Sequence, residues 1–97
     1  MYAVIFKANI RKLDEEYAAL VEKLHALALE QYACLRIDSA SQDGLEITVS
    51  YWESLEAIKA WKKDPLHQQA QQRALQDWYA DYQVEILELL RQYSNGT

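Results

Sequence analysis

Trp52, Trp61 and His67 crowd into one short stretch, SYWESLEAIKAWKKDPLHQQAQ at residues 50–71, with Tyr51 beside the first. Imidazole has an ordinary pKa near neutrality, so it can take or give a proton at cellular pH. Indole and phenol rings orient a flat ligand by stacking, and phenol hydroxyls fix its polar edges. Trp78, Tyr79 and Tyr82 repeat the aromatic theme further on, and His25 is the second histidine. Together these side chains can furnish an aromatic-walled pocket in which Trp61, Trp78, Tyr51 and Tyr82 hold a substrate. His67 would be its base or polar contact. Each also has a plainer reading. Trp61 continues the helical stripe of Leu55 and Ile58, as a core residue would. His67 near a helix start is satisfied equally well by water or a carboxylate, and Trp52 reads as a structural residue at a subunit face.

Other chemistries find little support. Cys34 is the sole cysteine, so no internal disulfide or cysteine-rich metal site forms, and its Ala33 and Leu35 neighbours suit a buried small hydrophobe. No Asp, Glu and His spacing matches a metal site, and no glycine-rich loop offers a phosphate cradle, so neither metal nor cofactor is expected. Arg73 reads as a solvated arginine among glutamines, with Asp77 and Asp81 free to cap or orient around "WYA".

The 97 residues carry a net charge of −5. An acidic chain without a basic stripe argues against nucleic acid and anionic membranes as partners. No apolar run approaches the roughly 20 residues that span a bilayer. The opening MYAVIFKANI lacks the features of a signal peptide, so a reducing cytoplasm is the expected setting.

The elements that must position these residues follow from periodicity. Residues 1–9 alternate as a strand with Tyr2, Val4, Phe6 and Ala8 on one face, and residues 13–30 have helical spacing behind acidic Asp14, Glu15 and Glu16. Residues 32–40 read as a second strand in which Leu35 and Ile37 share a face. The turn SASQDG places Asp43-Gly44 at a hairpin, and residues 45–52 form the third strand. A short helix spans 53–63 with Ser54 as cap, and Asp64-Pro65 ends it. Pro65 opens a further helical run to residue 74. Extended chain resumes from residue 77, Leu87 breaks its alternation, and residues 93–97 form a loose tail. The order is strand, helix, strand, strand, helix, strand in one domain, residues 1–97 with a core at about 2–92. It predicts an α+β, ferredoxin-like four-stranded antiparallel sheet with helices on one face. The bare face, with Ala3 and Ile5, calls for a second copy.

With that order in place, the 50–71 stretch resembles the signature of the antibiotic biosynthesis monooxygenase (ABM) family. The matching positions are Tyr51, Trp52, Glu53, Ser54, Glu56, Ala57, Trp61, Asp64, Pro65 and His67, and the first and last strands are similar as well. The resemblance implies a homodimer paired into a dimeric α/β barrel. It also implies oxidation of a small quinol or anthrone-like aromatic by molecular oxygen, without metal or flavin. Two other readings stay open: a non-catalytic ligand-binding or assembly module of the same fold, and a haem-degrading oxygenase. The latter fits Asn9 and Trp61 only superficially. Asn9 should point away from the helix side, His67 follows Trp61 too soon, and QQAQQR holds no histidine.

Overall fold

The computed structural model describes residues 1–96. In chain order it contains β1 (Tyr2–Ile10), α1 (Glu15–Gln31), β2 (Cys34–Gln42), β3 (Leu45–Trp52), α2 (Leu55–Lys62) and α3 (Pro65–Arg73). A single π-helical turn (Ala74–Trp78) and β4 (Tyr79–Glu88) follow. The strands form one antiparallel sheet in the order β2-β3-β1-β4, a ferredoxin-like α+β arrangement.

Local chemistry sets the helix starts. Asp14 caps α1 by accepting from the Tyr17 amide at 2.8 Å, and Ser54 caps α2 through the Ala57 amide at 3.1 Å. Asp64 caps α3, accepting from the amides of Leu66 and His67 at 2.8 and 3.1 Å, with Pro65 at the first position. The β2–β3 hairpin turns on Asp43 and Gly44, both at positive φ (52° and 80°), which suits the twist of the flanking strands.

Four expectations are corrected. Asp77 and Trp78 belong to the π turn, closed by the Tyr79 amide on the Ala74 carbonyl, so extended chain begins at Tyr79. Leu87 stays in register opposite Ala3, and the irregularity in β4 falls at Ala80, between the Asn9–Asp81 and Ile10–Tyr79 pairs. In β2 the register shifts around Leu35, which puts Cys34 and Ile37 under the helices and leaves Leu35 exposed. Trp52 pairs with Tyr2 and so faces the helices, where it is 1% exposed, rather than a subunit face. The expected tail has no regular structure over 93–96, and Thr97 lies outside the described residues.

Register explains the Trp52 result. Tyr2, Val4, Phe6 and Ala8 pair with Trp52, Ser50, Thr48 and Glu46, so the polar set of β3 lies on the helix side. Its apolar set, Ile47, Val49 and Tyr51, joins Ala3 and Ile5 on the outer face. The helix side packs as two separate cores. One gathers Ala8, Tyr17, Ala74, Trp78 and Tyr79. The other gathers Ala28, Cys34, Trp52 and Ile58.

Candidate active site

Between the two cores the sheet and helices do not close. They leave a cleft of about 840 Å³, within the usual range for small-molecule sites. Its floor is split. Val4 and Phe6 of β1 with Val84 and Ile86 of β4 are apolar, whereas Thr48 and Ser50 of β3 with Ser39 of β2 are polar. The polar strip is partly self-paired: Ser39 and Thr48 hydroxyls lie 2.8 Å apart, and the Trp52 indole donates to Ser50 at 2.9 Å. Val21, Leu24 and His25 of α1 and Ala70 of α3 roof it.

At one end, Trp61 of α2 meets His67 of α3 with ring centroids 4.5 Å apart, and Tyr32 with centroids 5.2 Å apart. Asp64 holds this corner. Besides capping α3 it accepts from the Tyr32 hydroxyl at 2.5 Å, and these bonds to its charged form keep its pKa below the usual carboxylate value. The Asp-Pro-x-His spacing is thus a positioning device that turns the α3 start so that His67 lies on Trp61. Burial lowers the His67 pKa, against opposition from the Lys62 carbonyl and the Asp64 charge. Its Nδ1 is sealed from solvent and has no hydrogen-bond partner.

At the other end, Glu46 of β3 accepts from the hydroxyls of Tyr17 on α1 and Tyr79 on β4, the latter at 2.6 Å. The two phenol oxygens are themselves 2.8 Å apart. Burial, reinforced by the carboxylate, raises both tyrosine pKa values above the ordinary range, so they remain hydrogen donors. Trp78 packs edge-on against Tyr17 at 5.1 Å and donates to the Asp14 cap at 3.2 Å. His25 is nearby, its pKa lowered by burial and pulled the other way by the Glu46 charge.

A two-poled cleft of this kind invites comparison with known proteins. The antibiotic biosynthesis monooxygenase family model matches residues 1–73. The chain belongs to the antibiotic biosynthesis monooxygenase family. A relative in Bacillus subtilis (strain 168), the uncharacterized protein YqjZ, is 37% identical over 92 residues, spanning 94% of this chain and 81% of the relative. Among solved structures, Rv0793 from Mycobacterium tuberculosis superposes with a TM-score of 0.80 at 17% identity, covering 96% of this chain and 98% of its own. SnoaB, a cofactor-independent oxygenase from Streptomyces nogalater, gives 0.78 at 12% identity, covering 98% and 97%. Identities this low establish the ABM fold and leave the chemistry to the site.

Of the ABM residues picked out by sequence, Trp61, His67, Trp78 and Tyr82 all border the cleft. Trp78 does so from within a core, at 3% exposure, and Tyr82 stacks on Phe6 at 5.5 Å. Tyr51 is the exception: paired with Ala3, it lies on the outer sheet face, away from the cleft. Asn9 also points away and donates to Asp81 at 2.7 Å. Arg73 pairs with Glu16 at 2.7 Å and with Asp77 on the surface. Among the described residues no group of three His, Cys, Asp or Glu side chains is arranged to hold a metal, and no helix is long and apolar enough to cross a membrane. Sequence reasoning missed Glu46 and Tyr17. A signal existed in β3, where Glu46, Thr48, Ser50 and Trp52 alternate with an apolar set. Assuming that the apolar set faces the helices hides it.

Proposed function

We propose that this ABM-family chain is a cofactor-independent monooxygenase acting on a small, flat hydroxyaromatic of the quinol or anthrone class. The observation that carries the reading is the cleft itself: a half-open, largely apolar volume of about 840 Å³ with aromatic walls and a polar strip along β3. A planar ring system seated there is held by its faces and displaces water from the apolar floor. Loss of a proton makes the substrate electron-rich enough to reduce oxygen directly. For an anthrone, the activated methylene becomes a carbonyl, and the second oxygen atom of O₂ leaves as water with the two hydrogens. The protein's part is to bind, desolvate and deprotonate. Trp61 bounds the ring plane and His67 is a polar contact beside it. Tyr82 and the edge of Trp78 border the substrate at the opposite end. We further propose that residues 1–97 act as one domain in a cytoplasmic homodimer. The second copy covers the outer sheet face, where Ala3, Ile5, Ile47, Val49 and Tyr51 lie together.

Oxygen uptake tests the function. Metal-stripped protein is given a panel of hydroquinones and anthrones. Uptake well above autoxidation, reduced in Trp61→Ala and His67→Ala, is expected. Ligands that raise the melting temperature with no uptake across the panel would replace the oxygenase by a binding module of the same fold.

A further inference from the structure

We propose that Glu46, held between Tyr17 and Tyr79, is the proton-accepting pole of the cleft: a hydroxyl of the bound hydroxyaromatic donates to its carboxylate and passes its proton into this triangle. The inference rests on the oxygenase reading above and names the group that starts its chemistry.

Tyr17 and Tyr79 each contact one oxygen of Glu46, and the phenol oxygens contact each other at 2.8 Å. Three oxygen–oxygen contacts need three hydrogens. With the carboxylate ionised, two hydroxyls supply two. A proton arriving on Glu46 completes the ring: the carboxyl donates to one phenol, that phenol to the other, and the second phenol back to the carboxyl. The triangle therefore has one vacant hydrogen position, and a substrate hydroxyl can fill it. In that step the substrate O–H bond breaks, a carboxyl O–H bond forms, and both electrons of the broken bond stay on the substrate as its anion. Oxygen is the oxidant only afterwards.

Access favours Glu46. The two tyrosines are buried, at 8% and 5% exposure, while Glu46 is partly open and borders the cleft. Nδ1 of His67, at the other end, is sealed, so that ring nitrogen takes no proton from a ligand. From Glu46 to Ser50 the floor runs four residues of β3, about 13 Å at the usual rise. A three-ring hydroxyaromatic spans this length with a hydroxyl at the carboxylate. The other titratable groups bordering this half are His25 from α1, Tyr82 from β4 and exposed Glu22 at the rim.

The test has two arms on the full chain. Turnover of a dihydroxyanthrone is followed by oxygen uptake in wild type, Glu46→Gln, Glu46→Asp and Tyr79→Phe. Binding of alizarin and of its dimethyl ether, which lacks the hydroxyl protons, is followed by quenching of tryptophan fluorescence. Glu46→Gln is expected to lower kcat by about 100-fold or more, with partial recovery in Glu46→Asp. Wild type is expected to prefer alizarin to the ether by about 10-fold, a preference that Glu46→Gln loses. Uptake by Glu46→Gln within about threefold of wild type overturns the pole and leaves the oxygenase reading standing. No uptake by wild type removes the oxygenase reading, and the binding arm then decides. A hydroxyl preference lost in Glu46→Gln upholds the pole as a hydroxyl anchor; equal binding of the two ligands, or none, overturns it. If Glu46→Gln does not fold, Tyr79→Phe takes its place in both arms, and wild-type behaviour there overturns the pole.

Discussion

Trp52 and Trp61 stand nine positions apart in the sequence, and replacing each by alanine should have unequal consequences. Trp52 is 1% exposed and packs among Ala28, Cys34 and Ile58. Trp52 borders the cleft with almost no open surface, so its removal strips a fully packed ring from that core, which costs about 3–5 kcal/mol for a buried large aromatic. That is a large part of the stability of an ordinary small domain, about 5–15 kcal/mol. Trp61 is only partly buried and one side of it already borders the cleft. Truncation there removes a ring that is already part-exposed to the cleft. The loss is mainly the ring contacts with Tyr32 and His67, each contributing about 0.5–1.5 kcal/mol, so a total of about 1–3 kcal/mol is expected. For a chain this size 1 kcal/mol moves the melting temperature by about 4–8 °C, so central losses about 2 kcal/mol apart should separate the two variants by about 10 °C. Circular dichroism melts at one pH measure this directly. Equal melting temperatures would refute the distinction between a fully packed core ring and a part-exposed cleft wall. A Trp61→Ala loss clearly above about 3 kcal/mol would make Trp61 a core residue, with no wall to offer a ligand.

Other outcomes follow from the same geometry. Burial lowers the His67 pKa, so the unfolded chain binds more protons than the native one just below neutrality, and stability must fall as pH falls through the unfolded value near 6.5. His67→Gln should therefore flatten the melting temperature between about pH 7.5 and 5. His25, lowered for the same reason, contributes with the same sign, so His25→Gln combined with His67→Gln should flatten it further. An unchanged slope in both would refute the burial argument. Gly44 has φ of 80° and a Cβ built there meets nothing within 4 Å. Gly44→Ala should thus cost about 1 kcal/mol through backbone strain alone, read as a lower denaturant midpoint with an unchanged m-value. A raised midpoint would show that the hairpin turn is not held at positive φ.

Much of the architecture was legible in the residues. Helical spacing behind Asp14, the Asp43-Gly44 turn, the Ser54 cap and the Asp64-Pro65 break are local signals, and each acts within a few residues of itself. Their order alone was enough to specify a ferredoxin-like sheet, and the 50–71 stretch was enough to suggest the family. The Trp61–His67 pair was also within reach, because the residues that bring it about sit between Ser54 and His67 in one continuous segment.

The far end of the cleft was not legible, because it depends on pairings between distant residues. Tyr17, Glu46 and Tyr79 come from α1, β3 and β4, separated by 29 and 33 positions, and nothing local announces their meeting. Which face of β3 lies under the helices is equally undetermined by alternation, since a shift of one residue exchanges the two sets completely. Only the β1–β3 register puts Glu46, Thr48, Ser50 and Trp52 inside and Tyr51 outside. An apolar face normally turns toward the core, and here it turns away. The helices rest on two small cores at the ends of the sheet and leave the middle open, so polar side chains there line a cleft instead of being buried without partners. Local residue patterns set the strands and helices and their order, apart from the π turn before β4. Only tertiary packing decided that they enclose a hollow, and which side chains line it.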